Sequence, residues 1–171
     1  GETDYIYTKE CKIDARFSVS DEVFYIKNST LFIEDVQFSL AGEIEGKNVN
    51  LDISAENQKV KSVLSHMPEK FKSVCSTFSA DGDLSCKGII KGKISKTSNP
   101  HFNMDFVVTN GDFKLKENPF HLSALQLIGN IDNGSSNNFE TTLIKVEECS
   151  AKTGNGTFNG AFQVQNLNNY Y

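Results

Sequence analysis

Three histidines, three pairs of adjacent carboxylates and four cysteines are the side chains of this 171-residue chain that could do chemistry. Facing carboxylates could act as general acid and base, a Cys–His couple as nucleophile and base, and a His/Cys cluster as a metal site. The spacings support none of these. His66, His101 and His121 fit neither an HExxH nor an Hx3H pattern. Asp21-Glu22, Glu34-Asp35 and Glu147-Glu148 are sequence neighbours, so in a strand their side chains leave opposite faces and cannot flank one bond. Cys11, Cys75, Cys86 and Cys149 include no CxxC and allow three pairings. Cys86 is in phase with Leu84 and Ile90, and Cys11 with Ile13, which predicts small buried hydrophobes with room for one disulfide. No GxSxG, P-loop or strand-linked GxGxxG occurs. The expectation is a non-enzymatic protein with no catalytic residues, no metal and no cofactor.

The elements that would position these residues are mostly strands. Alternation with period two recurs along the chain: Cys11 to Val19, Val36 to Ile44, Val49 to Ala55, Phe78 to Ile94, Phe102 to Val108, Phe113 and Leu115, Leu125 to Ile131, and Phe158 to Val164. Each run buries one side only, as in antiparallel sheet with one wet face. Turn signals separate the runs at Glu45-Gly46-Lys47-Asn48, Ser98-Asn99-Pro100, Asn110-Gly111-Asp112, Glu117-Asn118-Pro119 and Asn133-Gly134-Ser135-Ser136. The fold class is therefore mainly β, an antiparallel meander of about ten strands curled into a groove or half-barrel. One segment, 57–75, breaks the rhythm: Val60, Val63, Leu64, Met67, Phe71 and Val74 have helical spacing, and Pro68 divides them into a helix ending near His66 and a short second turn. It reads as an amphipathic plug capping the sheet. Residues 1–56 form a first sheet segment and 76–171 a second, within one continuous domain.

Composition narrows the partners. Seventeen basic and 22 acidic residues give a net charge of −5, and Arg16 is the only arginine, a poor basis for clamping phosphates, so nucleic acid is not expected. Apolar residues make up 38%, with thirteen Phe, five Tyr and no Trp, which is a globular composition. No apolar run approaches the roughly 18 residues of a membrane span, and no signal peptide opens the chain. The abrupt start at Gly1-Glu2-Thr3 suggests a cut within a longer protein. An internal echo points the same way: Phe32 to Ile44 resembles Phe120 to Ile131, with a weaker copy at Thr157 to Leu167, as in a stackable sheet with open edges.

From Gly88 to Leu115 a longer pattern emerges. A G-x-I-x-G strand (Gly88, Ile90, Gly92) leads through Ser95-Lys96-Thr97-Ser98-Asn99-Pro100 into the alternating Phe102-Asn103-Met104-Asp105-Phe106, then Asn110-Gly111-Asp112-Phe113 as a hairpin. Leu64, Met67 and Pro68 form an L-x-x-M-P helix ahead of it, and Gly156 to Val164 a closing strand. In order and spacing these motifs, spread from about Leu31 to Leu167, resemble the AsmA-like family of Gram-negative envelope proteins, which with its TamB relatives is similar to bridge-like lipid-transfer proteins of repeating β-groove units. The resemblance implies a periplasmic β-rich segment anchored to the inner membrane in the full-length protein, along whose apolar face phospholipid acyl chains move between membranes in support of outer-membrane biogenesis. It also implies possible envelope protein partners, and the periplasm permits a disulfide. The candidate groove residues are Phe38, Leu40, Ile44, Leu51, Ile53, Ile90, Ile94, Phe102, Met104, Phe106, Phe113, Phe158 and Phe162. The alternatives are a structural or chaperone-like envelope module assisting outer-membrane protein assembly, and a generic β-sandwich binding domain.

Overall fold

The computed structural model describes residues 10–67 and 69–167. Strands β1 (Cys11–Ser20), β2 (Val23–Ile33), β3 (Val36–Glu45) and β4 (Asn48–Lys59) are followed by helices α1 (Val60–Ser65) and α2 (Glu69–Cys75). Then come β5 (Phe78–Lys93), β6 (His101–Leu115), β7 (His121–Asp132), β8 (Leu143–Thr153) and β9 (Gly156–Gln165). The nine strands of the described residues form one antiparallel sheet in sequence order, a meander that among these residues is not closed into a barrel. Each strand pairs only with its sequence neighbours, so two-residue turns suffice between β1 and β2, β2 and β3, β3 and β4, and β8 and β9, whereas β4 and β5 are joined through the two helices.

Register gathers the alternating apolar residues onto one face. One cross-strand row runs Leu40, Ile53, Gly88, Met104, Ile131, Ile144 and Val164, each opposite the next. A parallel row joins Leu51, Ile90 and Phe102. The buried cluster Leu125, Val146, Cys149 and Ala151 lies on this face, with Phe106, Phe113, Leu122 and Leu127 packed against it. Gly129 makes room for one of these rings: a Cβ there would run into the Lys145 carbonyl and stand 2.7 Å from the Phe106 ring.

Bulges bend the sheet. In each of the even-numbered strands two residues oppose one: Lys27-Asn28 in β2, Glu56-Asn57 in β4, Thr109-Asn110 in β6 and Glu147-Glu148 in β8. A further bulge in β7 includes Ala124. Asn28, Asn57 and Asn110 take φ of 44°, 51° and 54°, a left-handed conformation that Asn tolerates better than most residues. Each bulge increases local twist and bends its strand, so the sheet curls.

Several expectations are corrected. Asn110-Gly111-Asp112 is a bulge inside one long strand and not a hairpin: Asn110 takes a positive φ of 54°, but Gly111 does not, whereas a two-residue Asn-Gly hairpin turn needs it at both. Asn57, Gln58 and Lys59 continue β4, so the helical segment starts at Val60. Pro68 itself lies outside the described residues, between α1 and α2. Strands β2 and β8 add to the alternating runs, and the described residues form nine strands. Cys11 is exposed and not buried, because its strand is a sheet edge, and all four cysteines are free thiols.

Candidate functional site

Helices of six and seven residues are too short to persist alone, so packing must hold them. Helix α1 packs on β4 and β5, and α2 on β5. Beyond α1, His66 Nε2 lies 2.6 Å from Asp35 Oδ1 in the β2–β3 turn. In α2 the Phe71 ring meets Phe139 of the β7–β8 loop edge-on, with centroids 5.6 Å apart. The helical segment thus spans from one part of the sheet to another.

Beneath that span is a cavity of about 670 Å³. Ile90, Phe102, Ile131, Ile144 and Val164 line it from the sheet, and Met67, Phe71, Val74 and Phe139 from the helical segment and the loop. That volume falls within the range of sites for small organic ligands, roughly 300–1,000 Å³. Its polar lining residues are Asn99, Asn133, Asn137, Asn138 and Thr142. Their side chains are fixed by hydrogen bonds. Asn133 accepts from the Phe102 N–H at 2.8 Å and donates to the Pro100 carbonyl at 2.9 Å. Asn99 and Asn137 each donate to the other's backbone carbonyl, and Thr142 Oγ1 donates to the Asn138 carbonyl at 2.7 Å. A mostly apolar lining with a few fixed polar groups suits an amphiphile. A second cleft of about 480 Å³ has mixed charge, with Lys61 and Lys116 beside Asp81 and Asp112.

Of the thirteen groove candidates, Ile90 and Phe102 line the large cavity. Phe106 and Phe113 pack into the buried cluster instead. Leu40 is buried, while Phe38, Ile44, Leu51, Ile53 and Met104 are half-buried on the same face. Phe158 and Phe162 are exposed on β9, and Ile94 lies exposed just beyond the end of β5, its N–H donated to the Lys47 carbonyl. Phe139 and the lining carboxamides were absent from the expected set, since a lone Phe within an Asn-rich loop has no periodicity to mark it.

The titratable groups are spread out. Each histidine adjoins an aspartate: His66 with Asp35, His121 with Asp112 at 2.6 Å and His101 with Asp132 at 3.6 Å. Hydrogen bonds from Lys114 and then His121 hold the Asp112 carboxyl below its usual range. Burial opposes the ionised form of Asp132, but the Asn103 amide, the Gly134 N–H and nearby His101 outweigh it and lower the pKa. Burial pushes the Cys86 and Cys149 thiols up, away from thiolate reactivity. Among the described residues no three His, Cys, Asp or Glu side chains come together to hold a metal ion, and no helix is long and apolar enough to cross a membrane.

No protein-family description, curated protein or solved structure matches this chain.

Proposed function

We propose that the chain binds the acyl chain of a lipid in the cavity between the sheet and the helical segment. The observation that carries this reading is the apolar space of about 670 Å³ beneath α2. Transfer of each methylene from water contributes about 0.8 kcal/mol, so ten methylenes give roughly 8 kcal/mol before the costs of immobilising the ligand. The resemblance to AsmA-like proteins extends the proposal: the chain is a segment of a longer periplasmic groove that conducts phospholipid acyl chains between membranes. The apolar row from Leu40 to Val164 supports a path running across the strands.

Native mass spectrometry followed by organic extraction tests the binding. The expected result is a copurifying or added acyl lipid near one per chain. Phe102→Asp should abolish the adduct, as should Ile144→Trp, which fills the cavity without adding charge. A protein that takes up neither fatty acid nor phospholipid under any condition overturns the reading.

A further inference from the structure

We infer that β1 is a dimerisation edge, at which a second copy of this chain adds its own β1 in antiparallel register centred on Ala15. The inference is independent of what the cavity holds and concerns this chain by itself, with no further strand of a longer groove on β1. On one side β1 pairs with β2; on the other no described strand covers it. Every residue of β1 is exposed. Phe17 (64%), Ile13 (60%) and Val19 (55%) are the most exposed large apolar side chains among the described residues. Edge strands are commonly protected by charged side chains, by Pro, by a bulge or by being short, and of these β1 has charges at Lys12, Asp14 and Arg16. This one is ten residues long and contains no Pro, and the bulge opposite Ala15 belongs to β2.

Backbone direction and charge together select the register. The Arg16 N–H donates to Ser29 Oγ at 3.0 Å, so it points toward β2. Alternation then leaves the peptide groups of Ile13, Ala15, Phe17 and Val19 at the open edge, ready for antiparallel bonding. With Ala15 opposite its own copy, Ile13 meets Phe17 and Cys11 meets Val19 on the apolar face, each contact occurring twice. On the other face Asp14 meets Arg16, again twice. Centring on Asp14 would instead set Asp14 against itself and Lys12 against Arg16, and centring on Arg16 would set the two arginines together. Centring on Ile13 leaves Phe17 and Val19 without a partner in the described strand, and centring on Phe17 separates Asp14 from Arg16. A two-fold axis perpendicular to the sheet keeps both apolar faces on one side, giving one continuous sheet through both copies.

Sedimentation velocity over a range of protein concentrations tests this on the chain as it stands. A dimer is expected. Arg16→Asp and Asp14→Arg should each weaken it about tenfold by placing like charges opposite one another. The double swap Asp14→Arg/Arg16→Asp should restore it, and mixing the two single variants should give a heterodimer tighter than either homodimer. For the register, Val19→Cys should form a disulfide-linked dimer through Cys11 of the other copy, lost when Cys11→Ser is added. A monomer at all concentrations overturns the inference, and so does a dimer indifferent to both charge reversals.

Discussion

Asn28, Asn57 and Asn110 occupy equivalent places, each the second residue of a bulge in an even-numbered strand with φ between 44° and 54°. A side chain branched at Cβ is disfavoured there, by about 1–2 kcal/mol for the left-handed backbone, whereas glycine is free of that cost. Asn110→Val should therefore lower stability by about that amount, and Asn110→Gly should leave it unchanged or slightly raise it. Urea denaturation of both variants decides; equal losses would mean that the Asn110 side chain, through its 3.1 Å hydrogen bond to Asp83, matters more than its backbone. The same residues explain what the sequence concealed. Phase is kept through β3, so Val36, Phe38 and Leu40 stand out at once as one face. In β2 the apolar face passes from Ile26 to Ser29 and Leu31, and in β8 from Val146 to Cys149, because each bulge inserts one residue and shifts the phase. Of the cavity lining, Ile90 and Phe102 were legible by phase. Phe139 was not, since tertiary structure alone brings its loop over the sheet.

At the scale of elements, the helical segment depends on its attachments. The Asp35 carboxyl is held below its usual 3.8 by hydrogen bonds from Ser62 first and His66 second. A depressed carboxylate pKa means that this contribution is present above about pH 3.8 and is lost as pH falls through the lower folded value. The α1 end of the segment should loosen in that acid window while the sheet remains paired. Methyl NMR signals of Leu64 and Met67, followed from about pH 5 to pH 2, would report it. In Asp35→Asn the same signals should be shifted already at neutral pH and change little on acidification. Signals that titrate identically in both proteins would exclude Asp35 as the anchor. Apolar spacing made the two helices legible, because Val60 to Val74 must present one face to the sheet. The anchor was hidden, since His66 and Asp35 are 31 residues apart.

Over the whole molecule, the strong strand contacts join sequence neighbours only, from β1·β2 through β8·β9. A chain of nearest-neighbour interfaces need not open as one unit, and its ends have one partner where its middle has two. Burial is uneven along that chain: β1 and β9 are exposed throughout, whereas Leu125, Val146, Cys149 and Ala151 on β7 and β8 form a buried cluster reaching Phe106 and Phe113 on β6. Native-state hydrogen exchange should therefore rank the amides, with β6 and β7 opening only at the highest free energies and β1 and β9 well below them. Val146 is 3% exposed, and Val146→Ala should cost about 2 kcal/mol through lost burial and the cavity left behind. That loss should lower the opening free energies of β6–β8 while leaving the β1–β2 hairpin nearly unchanged. A uniform drop across all nine strands would mean that the curled sheet unfolds as a single cooperative body. The helical segment is the element that could couple the sheet in that way, since His66 ties it to the β2–β3 turn and Phe71 to the β7–β8 loop. Repeating the exchange measurement in Phe71→Ala separates the two cases: if this strap carries the coupling, its loss should let the two halves of the sheet open at different free energies.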